Sequence, residues 1–229
     1  MKLASLFSGG KDSAYAIYLA QKQGHEIKCL LSVFPKSDES HLLHYPNIEL
    51  TKLQSESMNI PQLTITSNSD QTDDELILLE SLLQTAKEKY QIEGLVHGGI
   101  KSKFQKDKFE IICSKLNLVV IAPLWGTDPE EYMNELIDSN FDFILTTVSS
   151  DGLDDSWLGK IISKSDIVSL KSLSEKFGFN LNFEGGEAET FVINCPLFSN
   201  SIKINQSQKQ WDGYRGRFEI VDAELNYNA

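Results

Sequence analysis

The sequence predicts an α/β protein, built as an open parallel sheet with helices on both faces and followed by a smaller C-terminal α+β domain. Short apolar stretches alternate with helical patterns over the first 150 residues. Uniformly apolar strands are typical of a parallel sheet, because such a sheet is buried on both faces. The pattern changes after about Asp151, where glycine- and acid-rich segments follow. The length of 229 residues suits one domain or two small ones.

Each element is predicted from its apolar spacing and from the residues at its ends. Apolar runs predict strands at residues 3–7, 27–34, 61–65, 94–97, 119–122 and 141–148. Three- and four-residue spacing predicts helices at residues 13–22, after Asn47, from Asp73, at 105–116, after Asp128-Pro129 and at 166–177. Two further strands are predicted at residues 202–204 and 217–221. We place the domain boundary within residues 126–128, which gives domains 1–126 and 127–229.

Composition excludes several classes of protein. The net charge is −12, from 33 acidic and 21 basic residues, of which only Arg215 and Arg217 are arginines. Such a chain offers no general positive field to nucleic acid or to an anionic membrane. The longest apolar run, residues 118–125, is far shorter than the roughly 20 residues of a membrane-spanning helix. We therefore expect a soluble cytoplasmic protein without nucleic-acid or membrane partners. The sequence leaves the oligomeric state open, with a homo-oligomer as one alternative.

The three cysteines, Cys29, Cys113 and Cys195, are far apart in the sequence and form no C-x-x-C pair. This spacing predicts neither a disulfide framework nor a zinc site. We expect them to be small buried apolar residues in a reducing compartment.

A phosphate-binding loop is predicted between the first strand and the first helix. It consists of Ser8, Gly9, Gly10, Lys11, Asp12 and Ser13. A helix start exposes free N–H groups, and paired glycines allow the backbone to approach a phosphate closely. Lys11 supplies a mobile positive charge, and Asp12 suits Mg²⁺ better than direct phosphate contact. The structural alternative is a Gly-Gly turn with a serine cap.

This Ser-Gly-Gly-Lys-Asp-Ser segment resembles the pyrophosphate-binding loop of the N-type ATP pyrophosphatases. The resemblance implies the adenine-nucleotide alpha-hydrolase fold and adenylation chemistry that releases pyrophosphate. It also implies an adenine site near Val33 and Phe34, at the end of the second strand.

Later segments resemble one branch of that superfamily, the diphthine–ammonia ligases. Residues 97–105, His-Gly-Gly-Ile-Lys-Ser-Lys-Phe-Gln, resemble its Gly-x-Ile-x-Ser-x-Tyr-Gln segment, and residues 184–190, Glu-Gly-Gly-Glu-Ala-Glu-Thr, resemble its Gly-Glu-Gly-Gly-Glu-x-Glu-Thr signature. Pro123-Leu124-Trp125, Cys195-Pro196-Leu197-Phe198, and Ser40 and His44 match as well. The chain departs from the branch at Phe104, Phe183 and Ala188, where the family has tyrosine, glycine and tyrosine.

The resemblance implies a role for each matched residue. Catalytic roles fall on Lys11, Asp12, Glu184, Glu187 and Glu189, with Asp12 as the metal ligand. ATP contacts fall on Ser8 to Ser13, Val33, Phe34, Gly98 and Gly99. Substrate contacts fall on His44, Ser102, Gln105, Trp125, Gly185, Gly186 and Thr190. From the residues alone, helix capping competes with ligand binding at Ser102 and Gln105, and core packing competes with an acceptor wall at Trp125.

The resemblance implies an ATP-dependent amide ligase that uses ATP and Mg²⁺. Diphthine on translation elongation factor 2 would react through an acyl-adenylate with free ammonium to give diphthamide, AMP and pyrophosphate. Residues 1–126 would bind ATP and residues 127–229 the acceptor, and we expect the acidic segment 184–190 to close over the cavity of the phosphate loop.

Two alternatives remain at this point. One is an ATP pyrophosphatase with a small-molecule or tRNA acceptor, and the other is a non-catalytic adenine-nucleotide sensor. From the residues alone, segment 184–190 also suits a solvated surface turn, and the role of His97 stays open. The lysines Lys101, Lys103, Lys106 and Lys108 suit either a solvated helix face or a patch that faces a triphosphate or a partner.

Overall fold

The computed structural model describes residues 1–34, 50–69 and 71–227. The chain divides into two compact units, Met1–Gly126 and Thr127–Ala229. The first unit contains β1 (Lys2–Leu6), α1 (Lys11–Lys22), β2 (Glu26–Phe34), α2 (Thr51–Met58), β3 (Gln62–Thr66), α3 (Thr72–Tyr90), β4 (Gly94–Val96), α4 (Lys103–Lys115) and β5 (Val119–Ile121). The second contains α5 (Pro129–Asp138), β6 (Asp142–Val148), α6 (Lys164–Phe177), β7 (Ala188–Asn194), β8 (Ile202–Trp211) and β9 (Gly216–Leu225).

The first unit is built on a parallel five-stranded sheet in the order β3-β2-β1-β4-β5. The chain runs outward from β1 to β3 and then crosses back to β4. Because such crossovers are right-handed, α1 and α2 cover one face of the sheet and α3 and α4 cover the other. The parallel sheet with helices on both faces is therefore confirmed.

The core on the α3 and α4 face follows from the alternation of side chains along the strands. Cys29, Leu31 and Val33 of β2 point into a cluster with the buried Leu79 and Leu83 of α3. The intervening residues of β2 point to the opposite face of the sheet. The strands are thus buried on both faces, which explains their uniformly apolar sequences.

The order of the strands sets the place of the candidate site. β1 and β4 are neighbours, and the chain leaves them toward opposite edges of the sheet. In open α/β sheets, ligands bind beyond the carboxyl ends of the strands at this reversal. The segments that leave these two strands there are residues 8–13 and 97–99.

The second unit is an antiparallel four-stranded sheet in the order β7-β6-β9-β8, together with α5 and α6. Helix α5 begins as predicted, because Asp128 caps it and Pro129 occupies its first turn. Helix α6 begins with a capping box between Ser163 and Asp166 and ends at Gly178, which has a φ of 81°. No helix in the described part of the chain is long and apolar enough to cross a membrane.

The strands of the second unit differ most from the sequence prediction. Strand β7 was not predicted, and β8 and β9 extend well beyond residues 202–204 and 217–221. Strand β8 lies at the edge of the sheet, and nearly all of its residues after Ile204 are exposed. An exposed edge strand needs no apolar alternation, so its sequence carries little periodic signal.

Candidate active site

The phosphate loop joins β1 to α1. Gly9 has a φ of 81°, a conformation that glycine adopts without steric cost. Gly10 precedes the helix in an extended conformation, and its position contributes no side-chain cap to the first turn. Gly10 therefore places no side chain over the first amides of α1. A helix start of this kind can bind an anion.

Gln54 of α2 fixes this loop. Its Nε2 donates a hydrogen bond of 2.9 Å to the Gly9 carbonyl. A Cβ added to Gly9 would lie only 2.5 Å from the Gln54 Oε1, so a larger residue would displace the Gln54 side chain, and it would also be strained at a φ of 81°. Sequence reasoning missed Gln54, because its partner lies 45 residues away and the residue belongs to no recognised motif.

Lys11 is buried beside the carboxylate of the residue that follows it. The residue is 1% exposed, and its Nζ lies 2.8 and 3.0 Å from the two carboxylate oxygens of Asp12. The Asp12 side chain is 36% exposed. The loop therefore presents a fixed ammonium–carboxylate pair.

The two loop serines form a small hydrogen-bonded group. The Ser13 Oγ donates to the Gly10 carbonyl at 3.0 Å and lies 3.3 Å from the Ser8 Oγ. The Ser8 N–H also donates to the Ser13 Oγ, at 3.4 Å. These bonds tie the start of the loop to the first turn of α1.

The segment after β4 packs directly against the phosphate loop. A Cβ on Gly98 would lie 2.5 Å from the Asp12 carbonyl carbon and 2.8 Å from the Ser13 nitrogen. Only glycine allows this approach of two backbones. The structure thus brings Gly98 together with the phosphate loop, as the prediction of a shared ATP site requires.

His97 organises this second segment. The imidazole is 2% exposed, and its Nδ1 accepts a hydrogen bond from the Gly99 N–H at 3.1 Å. Its ring packs edge-on against Phe109 with 5.1 Å between centroids. Burial, with a smaller contribution from Lys106, lowers the pKa of His97 to about 4, so the ring is neutral at physiological pH.

Val33 and Phe34 end the strand next to β1. The Val33 side chain belongs to the core on the α3 face, so a nucleotide could contact only its backbone. The Phe34 ring is also buried, and the Lys52 Nζ lies 5.7 Å from its centroid. His44 and Ser40, in the loop that follows, lie outside the described residues.

Of the proposed substrate residues, Ser102 and Gln105 lie at the start of α4, and Trp125 lies after β5, where Lys106 of α4 contacts it. Ser102 caps α4, and its Oγ accepts the Gln105 N–H at 3.4 Å, which is the capping role. Trp125 is 37% exposed, which excludes the core-packing alternative. The Lys106 Nζ lies 4.4 Å from the Trp125 ring centroid and 3.9 Å from the Glu110 carboxylate. Lys106, one of the four lysines of the cluster, therefore covers a half-exposed indole.

Glu187, in the second unit, closes the acidic turn on itself. Its Oε1 accepts hydrogen bonds from the backbone N–H and the side-chain Nδ2 of Asn180, at 2.8 and 2.6 Å. Its Oε2 accepts the Gly185 N–H at 2.8 Å. Three donors on one carboxylate assign Glu187 a role in shaping the turn.

Phe183 explains one departure from the family pattern. Its φ is 62°, the left-handed region in which the family glycine would be unstrained. The ring is 5% exposed and stacks on Phe179 with 6.3 Å between centroids. Burial of the aromatic ring thus offsets a strained backbone.

The remaining residues of the acidic segment divide between the turn and strand β7. Glu184 lies in the turn, where its N–H donates to the Asn182 Oδ1 at 3.4 Å. Glu189 and Thr190 lie on β7, and the Glu189 N–H donates to the Thr147 Oγ1 at 3.0 Å. Their side chains are half-buried, so a carboxylate here remains accessible from solvent.

Comparison with known proteins assigns both halves of the chain. Residues 1–120 match the diphthamide synthase N-terminal domain, and residues 128–225 match the diphthamide synthase C-terminal domain. A diphthine–ammonia ligase from Rattus norvegicus is 36% identical over 226 residues, which cover 91% of this chain and 84% of that protein. The chain belongs to the diphthine–ammonia ligase family.

Other members of the diphthine–ammonia ligase family agree with this assignment. The Homo sapiens ligase is 35% identical over 91% of this chain and 84% of its own length. The Saccharomyces cerevisiae ligase is 32% identical over 87% of this chain, which corresponds to 34% of that longer protein.

A solved structure described as a "predicted subunit of tRNA methyltransferase" from Methanocaldococcus jannaschii is similar over 86% of this chain and 98% of its own, with a TM-score of 0.43 and 16% identity.

Ligases of this family depend on ATP, and the phosphate oxygens of a bound nucleotide can themselves be metal ligands. Among the described residues, no group of three or more His, Cys, Asp or Glu side chains could hold a metal ion by itself. Mg²⁺ needs only one or two carboxylates when phosphates and water complete its octahedron. The partly exposed Asp12 carboxylate fits that requirement.

Proposed function

We propose that this protein is the ligase that amidates diphthine on translation elongation factor 2, with ATP and ammonium as co-substrates. The observation that carries the proposal is an intact phosphate loop at the reversal of the parallel sheet, in a chain whose halves match both diphthamide synthase domains. The products are diphthamide, AMP and pyrophosphate.

The phosphate loop would bind the triphosphate of ATP. Lys11 and the first amides of α1 neutralise the phosphate charge, and the backbone of Gly9 and Gly10 allows close approach. Asp12 would hold the Mg²⁺, which would help to neutralise the charge of the phosphates. The contact with Asp12 holds the Lys11 ammonium within the loop, and a charge that is positioned in advance favours chemistry at a phosphate.

The reaction proceeds in two steps, and both use the carboxyl group of diphthine. An oxygen of the diphthine carboxylate bonds to the α-phosphorus while pyrophosphate leaves, which gives an acyl-adenylate. Ammonia then bonds to the acyl carbon, AMP leaves, and the nitrogen loses a proton to a base. Glu184 and Glu189 are the candidates for that base or for contact with the trimethylammonium, because Glu187 is engaged in its turn.

Free ammonium is the nitrogen donor in this proposal. Release of ammonia from glutamine commonly needs a nucleophilic thiolate. Burial raises the pKa of the Cys29, Cys113 and Cys195 thiols to about 12. Burial thus disfavours a nucleophilic role for these three thiols, which supports free ammonium as the donor.

The test replaces Lys11 with methionine, which keeps most of the buried volume and removes the charge. We expect pyrophosphate release from ATP, ammonium and diphthine-bearing elongation factor to fall about 100-fold or more, as for loss of one preorganised electrostatic contact. Lys22→Met, at the exposed end of the same helix, is the matched control and should keep full activity. Normal turnover by Lys11→Met would refute the assignment of the loop.

The same assay tests the acceptor. Release of pyrophosphate that depends on the diphthine-bearing factor supports the proposal. Release with a different acceptor, or firm ATP binding without any turnover, would overturn it.

A further inference from the structure

The two arginines of the chain lie together at the turn between β8 and β9. The Asp212 carboxylate fixes this turn, because its Oδ1 accepts the N–H groups of Tyr214 and Arg215 at 2.9 and 2.7 Å. Arg215 is exposed in the turn, whereas Arg217 is half-buried on β9. The two residues therefore have the same charge and different surroundings.

The sheet register places Arg217 beside the acidic segment. Thr147 of β6 pairs with Glu189 of β7 on one side and with Arg217 of β9 on the other. Directly paired residues of antiparallel strands project to the same face of a sheet. Thr147, Glu189 and Arg217 thus form one row across three strands.

The burial of the adjacent row of residues shows which face of the sheet carries Thr147, Glu189 and Arg217. The next row consists of Val148, Ala188 and Gly216, and all three residues are buried. The alternating row of Thr147, Glu189 and Arg217 is half-buried and therefore faces the opposite, accessible side.

The spacing suits a small dipolar ligand. Neighbouring strands lie about 4.8 Å apart, so the backbones of Glu189 and Arg217, two strands apart, are separated by about 10 Å. Both side chains lie on the same face of the sheet and are long enough to reach across this interval, which is about the size of a betaine group. Diphthine carries such a group, a carboxylate next to a trimethylammonium.

We propose that Arg217 is an acceptor-binding residue, whose guanidinium holds the carboxylate of the betaine group while the Glu189 carboxylate faces its cation. This assignment rests on the proposed function. A guanidinium binds a carboxylate through paired hydrogen bonds. Each carboxylate oxygen keeps another lone pair for attack on the α-phosphorus of ATP.

The kinetic test compares Arg217→Gln with Arg215→Gln, which makes the same charge change two residues away. For Arg217→Gln we expect the KM for diphthine-bearing elongation factor to rise about 10- to 100-fold, the range for hydrogen bonds to a charged group. The KM for ATP should stay constant, Arg217→Lys should recover part of the loss, and Arg215→Gln should match the unsubstituted protein. Equal kinetics for the two glutamine variants would overturn the proposal, and so would a parallel rise of both KM values with a lower melting temperature.

A binding experiment keeps this test separate from the proposed function. Glycine betaine and tetramethylammonium are titrated by NMR into the unsubstituted protein and both glutamine variants. We expect Arg217→Gln to lose the preference for glycine betaine over tetramethylammonium, whereas Arg215→Gln keeps it. If the enzyme releases no pyrophosphate with diphthine, the proposed function fails while this comparison still decides the role of Arg217, and an absent or unchanged preference overturns it.

Discussion

At the scale of single residues, His97 makes the fold sensitive to acid. Its Nδ1 accepts the Gly99 N–H, so the proton of the neutral ring resides on Nε2. Its pKa falls from 6.5 to about 4 on folding, so the unfolded chain binds the proton more tightly. The free energy of unfolding should therefore be fully retained above about pH 6.5 and decline by roughly 3 kcal/mol as the pH falls to 4.

Replacing His97 with asparagine isolates this effect. An asparagine oxygen can accept the Gly99 N–H, but the side chain does not titrate. We expect urea unfolding of His97→Asn to depend less steeply on pH between 4 and 6.5 than unfolding of the unsubstituted protein. His25→Asn, at the turn before β2, is the control, and parallel curves for His97→Asn and the unsubstituted protein would contradict the assignment.

Sequence reasoning predicted the chemical groups of the candidate site, but not the contacts that hold them in place. The six residues of the phosphate loop are consecutive, so their spacing alone indicates a phosphate site. Gln54 holds Gly9 from another helix, and Asn180 holds Glu187 across a turn. Such contacts depend on tertiary packing, and no local pattern in the sequence reports them.

At the scale of elements, the acidic turn depends on a strained phenylalanine. A left-handed backbone costs a residue with a Cβ about 1–2 kcal/mol, whereas truncation of a buried phenylalanine costs about 3–5 kcal/mol. Phe183→Gly should therefore lower the free energy of unfolding by about 2 kcal/mol, although it restores the family glycine and relieves the backbone. Chemical denaturation measures this change.

Asn59 provides the matched control for this prediction. It is exposed at the end of α2 and has a left-handed backbone with a φ of 53°. Asn59→Gly therefore relieves the same backbone conformation without removing a buried ring. That variant should change stability little. If Phe183→Gly were more stable than the unsubstituted protein, the ring stacking on Phe179 would not be the compensating interaction.

Element boundaries were predictable where a capping residue marks them. Asp128 and Gly178 fix helix ends through backbone contacts with their own neighbours, so the signal is local. Strands β7, β8 and β9 pair with partners distant in the chain, and β8 is polar on both faces. Their extent follows from pairing that a single sequence does not display.

At the scale of the whole molecule, the alternation of strands and helices predicted the parallel sheet because each crossover is a local unit. The antiparallel order β7-β6-β9-β8 could not be predicted in this way, because strands from separate parts of the chain pair around β6. The second unit also buries less of its sheet, since most of β8 is exposed. This difference should appear in the order in which the units unfold.

Buried thiols can report that order. Cys29 and Cys113 belong to the unit Met1–Gly126 and Cys195 to the unit Thr127–Ala229, and all three are buried. Their raised pKa values and burial should prevent labelling by a thiol reagent in the folded protein. Cys29→Ser with Cys113→Ser leaves a probe of the second unit, and Cys195→Ser leaves probes of the first. We expect Cys195 to become reactive at a lower urea concentration, because less apolar surface stabilises its unit. A single midpoint for both variants would show instead that the two units unfold as one.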